Sequence, residues 1–223
     1  MPKFQWQNLN PDKLWYLVGL ITSDGSLSKD RRHIDITSKD FSFLKLVKKK
    51  TGLPQKISPK KNSKGSVAHH IQIGSVGFYN FLISIGLTPN KSKTISALKI
   101  PEAYFHDFLR GVIDGDGGLR NWKHPTNGNE QWSLRITSGS KLFLVWLSER
   151  IVQQMKARGK IHDKNHSKYT FYVLKFGKIA ASCICLETYF KDPLSIHLNR
   201  KFILAKKCIA SRKGWGKSCT VIL

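Results

Sequence analysis

Two short segments of the chain are near copies of each other: Leu17-Val18-Gly19-Leu20-Ile21-Thr22-Ser23-Asp24-Gly25 and Leu109-Arg110-Gly111-Val112-Ile113-Asp114-Gly115-Asp116-Gly117. Both are apolar along most of their length, and both end in an aspartate followed by a glycine. A helix that is apolar nearly all round is one that a protein buries. A duplicated helix with a duplicated terminal acid therefore indicates two buried helices that act as a pair.

Each predicted helix carries small residues four positions apart, Gly19 with Ser23 and Gly111 with Gly115. This spacing places small residues on one ridge, where the backbones of two helices can approach closely. A glycine inside a helix costs about 1 kcal/mol relative to alanine, so a packing contact should offset that cost. We expect the two helices to pack on each other through these ridges.

The two terminal acids predict a cation site. Asp24 and Asp116 are expected to end their helices, with Gly25 and Gly117 as left-handed capping residues. The negative end of the helix dipole disfavours a carboxylate by about 0.3–1 kcal/mol, and two equivalent acids in this position favour a bound cation. Oxygen ligands suit Mg²⁺, and two such ions can serve phosphodiester hydrolysis.

The repeat extends beyond the helices, because residues 34–44 resemble residues 134–144. Both stretches alternate apolar and polar residues as a strand does and then continue as an amphipathic helix. Each half is predicted to have the order α-β-β-α-β-β-α, with an antiparallel sheet that helices cover on one face. The fold class is therefore α+β, with halves at 1–87 and 104–223, the second with a basic C-terminal extension, and a linker at 88–103.

Composition points to a nucleic-acid partner. The 223 residues include 38 Lys and Arg against 14 Asp and Glu, a formal charge of +24, and such an excess usually serves a polyanion. A merely basic protein and one bound to an acidic membrane surface are the alternatives. No apolar run approaches the ~18–20 residues of a membrane span, so we expect no membrane association.

The expected location is intracellular rather than secreted. The first residues lack the apolar core of a signal peptide. The four cysteines have no C-x-x-C spacing and are expected to be reduced thiols: Cys183, Cys185, Cys208 and Cys219.

The two segments resemble the LAGLIDADG motif of homing endonucleases, whose single-chain form carries two copies. The matching positions are Leu17, Gly19, Leu20, Ile21, Asp24 and Gly25 in the first copy, and Leu109, Gly111, Ile113, Asp114, Asp116 and Gly117 in the second. The resemblance implies pseudo-twofold-related halves in a monomer, with the motif helices packed at their interface. It also implies that the two antiparallel sheets form a saddle on the major groove of double-stranded DNA.

The resemblance further implies metal-dependent double-strand cleavage at a long, asymmetric DNA site, with Mg²⁺ as cofactor and Mn²⁺ able to substitute. It places the metal ligands at the last acid of each motif and at the carbonyl before it: Asp24, Asp116, Ser23 and Gly115. Thr22 stands where Asp114 keeps the first acid of the motif, and that acid is not a metal ligand.

A water-positioning Gln of the family is missing at Ser38-Lys39 and Ser138-Gly139. Lys175 is the candidate for a catalytic cation near the scissile phosphate, with Lys39 as the next candidate. The alternative interpretation is that both are solvated residues of the sheets.

Polar residues on the open faces of the strands are candidates for DNA recognition: Arg31, His33, Asp35, His70, Gln72, Arg120 and Arg135. Arg can pair with guanine and Gln with adenine in the major groove. The lysines elsewhere, such as Lys60-Lys61, are expected to contact phosphate or only water.

Three functions fit these features. The first is a site-specific endonuclease, which needs both terminal acids. The second is an RNA maturase of the same fold, with intron RNA as its partner, and the missing Gln favours it. The third is a basic DNA-binding regulator without chemistry. Retention of both Asp24 and Asp116 favours the first.

Overall fold

The computed structural model of the chain describes residues 4–61, 65–166, 169–192 and 195–212. Two similar sets of elements follow each other along the chain. The first comprises α1 (Pro11–Asp24), β1 (Gly25–Leu27), β2 (His33–Ser38), α2 (Phe41–Thr51), β3 (Ile57–Lys61), β4 (Val67–Gly74) and α3 (Val76–Ser84). The second comprises α4 (Phe105–Asp116), β5 (Gly117–Lys123), β6 (Glu130–Ser138), α5 (Lys141–Met155), β7 (Lys160–His166), β8 (Tyr169–Phe176) and α6 (Lys178–Tyr189), followed by α7 (Asn199–Ala210). The predicted α+β class and the order α-β-β-α-β-β-α are confirmed.

Each set contains one antiparallel sheet of four strands, in the orders β1-β2-β4-β3 and β5-β6-β8-β7. The strands form where apolar residues alternate with polar ones, because successive side chains of a strand point to opposite faces. One face of the inner strands is formed by fully buried apolar side chains: Ile34, Ile36, Ile71, Ile73, Leu134, Ile136, Leu174 and Phe176. The alternate residues of these strands lie on the opposite face of each sheet.

Local capping fixes where the helices between the strands begin. The Asp40 carboxylate accepts a hydrogen bond from the Phe43 backbone N–H at the start of α2, and Ser140 does the same for α5. Such caps satisfy backbone donors that have no partner in the first turn. Because the capping residue lies only two residues after the end of the inner strand, it sets the tight turn that returns the chain over the buried face.

The residues pack into two compact units. The first consists of Met1–Lys91, Leu98–Gly115 and Leu194–Leu198, and the second of Ser92–Ala97, Asp116–Pro193 and Asn199–Leu223. Both motif helices are therefore in the first unit as far as Gly115, while Asp116 and the sheet that follows it are in the second. The domain limits 1–87, 88–103 and 104–223 stay a prediction.

Two details of the sequence-based prediction were wrong. Gly25 is not a left-handed cap, because its φ is −95° and it begins β1, and Gly117 has no positive φ either. Gly25 is required by space instead, since a Cβ atom there would lie 2.7 Å from the Ile21 carbonyl oxygen. Arg31 is not a strand residue: β2 begins at His33, and Arg31 lies in the preceding turn with a φ of 58°.

Cys183, Cys185 and Cys208 are buried free thiols, and Cys219 lies outside the described residues. Within the described part of the chain, no helix has the length and apolar character needed to cross a membrane.

Candidate nucleic-acid interface

The two motif helices pack through their glycines, as the sequence predicts. A Cβ atom at Gly19 would lie 2.0 Å from the carbonyl oxygen of Phe108, and one at Gly111 would lie 2.2 Å from that of Tyr16. Gly19 and Gly111 hold the same place in the two motifs, and so do Tyr16 and Phe108. The contact is therefore reciprocal, and each glycine admits a backbone that alanine would exclude.

Ser23, Gly115 and Asp24 meet at the C-terminal end of this contact. The Ser23 hydroxyl donates a hydrogen bond to the Gly19 carbonyl oxygen over 3.1 Å. A Cβ atom at Gly115 would lie 2.0 Å from the Ser23 Oγ and 3.3 Å from the carboxyl carbon of Asp24. The packing thus brings three of the four predicted metal-site residues together within the first unit.

Asp24 and Asp116 are the last residues of α1 and α4, and both are exposed. The glycine after each acid begins the first strand of its sheet, where Gly25 pairs with Ile36 and Gly117 with Ile136. The two acids therefore occupy equivalent places, each next to a glycine that pairs near the C-terminal end of an inner strand.

The donor set fits the predicted metal. The donors that these residues offer, the Asp24 carboxylate and the Ser23 and Gly115 peptide carbonyls, are hard oxygen ligands of the kind Mg²⁺ accepts while keeping several waters. No group of three or more His, Cys, Asp or Glu that could hold a metal ion occurs among the described residues.

Asp114 is a third acid of the motifs, and its surroundings differ from those of Asp24 and Asp116. It is 1% exposed, accepts a hydrogen bond from the Tyr16 hydroxyl at 2.7 Å, and accepts another from the Leu198 backbone N–H at 2.9 Å. Burial, with the adjacent Asp114 carboxylate, raises the pKa of Tyr16 well above its ordinary value. Asp114 therefore has a structural role, which sequence analysis did not identify.

On the open face of the first sheet, Asp35 contacts two basic side chains. Its carboxylate is 2.6 Å from Lys60 Nζ and 2.5 Å from His70 Nδ1, and Thr37 also donates to it. Burial raises the pKa of Asp35, but the hydrogen bonds from Lys60 and His70 outweigh burial, so the pKa is lowered overall. Asp35 lies on the predicted DNA face, and it is only 8% exposed.

His33 and Gln72, the other predicted recognition residues of this sheet, lie on the same face as Asp35. Gln72 pairs directly with Asp35 across the strands. The His33 Nδ1 atom is 2.5 Å from the Asp30 carboxylate, which lowers the pKa of Asp30 to about 2. Lys39, the second candidate for a catalytic cation, is exposed in the turn between β2 and α2.

On the second sheet, Arg120, Arg135 and Lys175 lie together. With Asp116 they line an open cavity of ≈ 470 Å³. Arg135 pairs directly with Lys175 across the strands, and Gly118 pairs with Arg135 on its other side. The structure thus brings one of the two terminal acids and the preferred catalytic lysine to one cavity.

The sequence analysis missed three members of this face. Lys160, His162 and Lys164 alternate along β7, where Lys160 pairs with Lys175, and His162 and Lys164 line the same cavity. Their spacing of two residues is typical of one face of a strand and could have identified them, but the basic, turn-rich composition of the stretch favoured a loop.

Comparison with known proteins supports the fold. Residues 11–86 match the family model of the LAGLIDADG-like domain. No curated protein matches the chain in sequence. Among solved structures, the homing endonuclease I-WcaI bound to its DNA recognition sequence has a TM-score of 0.59 at 15% identity, covering 91% of this chain and 89% of that one.

Two further structures are similar. A variant of I-DmoI in complex with its target DNA and Mg has a TM-score of 0.51 at 16% identity, covering 81% of this chain and 97% of that one. Full-length WhiA from Thermatoga maritima has a TM-score of 0.57 at 14% identity, covering 97% of this chain. This chain spans only 64% of the length of that WhiA protein.

The fold defines the class: an α+β protein of two equivalent halves, each a helix, a four-stranded antiparallel sheet and further helices. The chain has the LAGLIDADG fold in its single-chain form with two motif copies, so the resemblance of the two segments is confirmed.

Proposed function

We propose that the protein is a site-specific, metal-dependent DNA endonuclease that acts as a monomer and makes a double-strand break at a long, asymmetric target. The observation that carries this proposal is the pair of exposed acids, Asp24 and Asp116, at equivalent helix ends. Asp114, by contrast, is buried and hydrogen-bonded within the first unit. Two acids at equivalent exposed positions suit one hydrolytic step on each DNA strand.

Asp24 and Asp116 would hold the metal, together with the carbonyl oxygens of Ser23 and Gly115. When bound, Mg²⁺ or Mn²⁺ supplies charge stabilisation and lowers the pKa of a water. Lys175 lines the same cavity as Asp116, where its ammonium group would stabilise negative charge on the scissile phosphate. Lys39 would give weaker support, since it is exposed beyond the end of β2.

The open faces of the two sheets would bind the DNA. The net charge of +24 favours a polyanion, and the I-WcaI and I-DmoI structures of the same fold are complexes with DNA. We propose that Arg31, from its turn, and the strand residues contribute to the contact: His33, Asp35, His70, Gln72, Arg120 and Arg135.

A DNA-binding protein of the same fold without cleavage is the second candidate, because the net charge of +24 favours a polyanion whether or not DNA is cut, and the fold is found in WhiA as well as in homing endonucleases. The two candidates differ in what they require of the acids. Cleavage needs Asp24 and Asp116, whereas binding alone does not.

The test is cleavage-end sequencing of a DNA library in the presence of Mg²⁺. The wild-type protein is compared with Asp24→Asn, Asp116→Asn and a control, Asp12→Asn, which removes an acid from the opposite end of α1. We expect a double-strand cut at one sequence with wild type and Asp12→Asn, and none with the other two. DNA binding without cutting would support the second candidate, and tight binding to intron RNA alone would support a maturase.

A further inference from the structure

The cations on the open face of the first sheet are compensated by acids. Lys60 and His70 both contact the Asp35 carboxylate, at 2.6 Å and 2.5 Å, and His33 contacts Asp30 at 2.5 Å. Each of these cationic or protonatable side chains therefore already has a carboxylate partner. The Asp35 carboxylate already offsets part of the Lys60 charge, so the net attraction of Lys60 to a phosphate is reduced.

The cations on the open face of the second sheet are not compensated in this way. The Lys and Arg residues on the described part of this face are Arg120, Arg135, Lys160, Lys164 and Lys175. None of them has an ion pair within the part of the chain that the structure describes. The Arg135 Nε atom is also buried without a hydrogen-bond partner among the described residues. A buried, charged donor is costly unless a partner satisfies it.

This difference arises at equivalent positions of the two sheets. Asp35 lies between Ser26 and Gln72 in the first sheet, and Arg135 lies between Gly118 and Lys175 in the second. The equivalent position thus carries an acid in one sheet and a guanidinium in the other. Lys60 and Lys164 also occupy corresponding positions. Ser58 pairs with His70 in the first sheet and His162 pairs with Val173 at the equivalent place in the second, and each lysine follows two residues later on the same strand. The lysine at this position contacts a carboxylate in the first sheet, whereas in the second it has no ion pair among the described residues.

We infer that the second sheet is the anchoring DNA face and that it reads a half-site containing guanine, whereas the first sheet adds recognition with little electrostatic affinity. Lysines of the second face bind phosphates, and each phosphate contact steepens the dependence of affinity on salt. Arg120 and Arg135 present guanidinium groups, which pair with the O6 and N7 atoms of guanine in the major groove. This inference rests on the DNA binding in the proposed function and not on cleavage.

The first test is the salt dependence of DNA binding, measured with the full chain in EDTA so that cleavage plays no part. Lys164→Gln and Lys60→Gln make the same chemical change at corresponding positions of the two sheets. We expect Lys164→Gln to reduce the slope of log K against log salt by about 0.9, the value for one phosphate contact, and Lys60→Gln by less than half of that. Asp35→Asn should increase the slope, because it releases Lys60. Equal effects of the two lysine changes would overturn the inference.

The second test is selection of binding sites from a random duplex library by wild type and by Arg135→Gln. We expect the wild-type sites to contain a guanine at a fixed position, and Arg135→Gln to lose that preference by about 10-fold or more. Sites without a guanine preference, or a preference that survives the substitution, would refute guanine reading by Arg135. Thermal unfolding of each variant verifies folding. If Arg135→Gln does not fold, the salt slopes of Lys164→Gln and Lys60→Gln decide whether the second sheet is the anchoring face.

The two proposals fail in different ways. Unequal salt slopes without any DNA cleavage would refute the endonuclease and leave the anchoring face in place. Specific cleavage with equal salt slopes would support the endonuclease and refute the inference that the second sheet is the anchoring face. Wild-type protein that binds no DNA at all would refute both.

Discussion

The Tyr16 hydroxyl donates a hydrogen bond to the Asp114 carboxylate over 2.7 Å, and both side chains are buried. This bond joins α1 to α4. The residues in the same places of the opposite motifs are Phe108 and Thr22. The tyrosine hydroxyl of Tyr16 faces the acid Asp114, whereas Phe108, which has no hydroxyl, corresponds to Tyr16 and Thr22, which is not an acid, corresponds to Asp114. Asp114, an acid present only in the second motif, is therefore paired with Tyr16, a hydroxyl present only beside the first motif.

Tyr16→Phe should lower the free energy of unfolding by about 1–3 kcal/mol, because it leaves a buried carboxylate oxygen with one partner fewer. The carboxylate keeps its bond from the Leu198 backbone N–H, so the protein should still fold. Urea unfolding measures the change. Tyr79→Phe is the matched control, since the Tyr79 hydroxyl bonds only a backbone carbonyl, that of Ser28, and it should cost about 1 kcal/mol.

A double-mutant cycle extends this prediction. Tyr16→Phe combined with Asp114→Thr reproduces the pair found in the other motif, and the double variant should be less destabilised than the sum of the single variants. Coupled residues usually show about 0.5–3 kcal/mol of interaction energy. Strict additivity would show that the hydrogen bond does not link the two helices energetically.

The glycine ridge gives a second prediction. Gly111→Ala should destabilise the protein by about 1–3 kcal/mol or more, because the new Cβ atom would lie 2.2 Å from the Tyr16 carbonyl oxygen. Alanine favours a helix by about 1 kcal/mol over glycine, so the clash has to exceed that gain. Gly118→Ala is the control, since nothing lies within 4 Å of its Cβ position. Thermal unfolding that is unchanged by Gly111→Ala would contradict the close contact.

The helix pair, the sheets and the terminal acids were predictable because each is recorded in local patterns. The small residues at Gly19 and Gly111 predicted a contact that the structure shows, and the alternation at Ile34 and Ile36 predicted a buried strand face. The partner of Asp114 was not predictable, since Tyr16 lies far from it in sequence and nothing local indicates the pairing.

The same limit applies to the DNA face. Alternation along β2 predicts that Asp35 lies on the recognition face, but it does not reveal that Lys60 and His70 contact Asp35 from two other strands. Periodicity assigns a side chain to a face, whereas the register of three strands decides which charges meet there. The difference between the two sheets is visible only once Asp35 and Arg135 are aligned by that register.

Asp35 gives a pH prediction. Its pKa in the folded protein is lowered from 3.8 by the hydrogen bonds from Lys60 and His70, against the opposing effect of burial. A lowered pKa means that the folded protein binds the proton less readily than the unfolded chain. The stabilisation is therefore present above pH 3.8 and is lost as the pH falls through the lower pKa of the folded state.

Urea unfolding of wild type and Asp35→Asn between about pH 7 and pH 3 tests this prediction, and the difference between the two should narrow below the ordinary aspartate pKa of about 3.9. Comparing the two proteins removes the contribution of Asp30, whose pKa is also lowered. A difference that stays constant over the whole range would show that the Asp35 pair adds no pH-dependent stability.

Lys175→Met tests the assignment of the catalytic cation. Lys175 and Asp116 line one cavity, so an ammonium group there is placed to stabilise charge on the phosphate, and its loss should lower the cleavage rate about 100-fold at saturating protein. Lys164→Met is the matched control, because Lys164 lines the same cavity from the neighbouring strand. That change should weaken DNA binding while leaving the saturated rate within a few-fold of wild type.

Lys39→Met should lower the cleavage rate less than Lys175→Met does, since Lys39 is exposed beyond β2. Single-turnover cleavage separates rate from affinity, and a wild-type rate for Lys175→Met would reduce Lys175 to a solvated residue of the sheet.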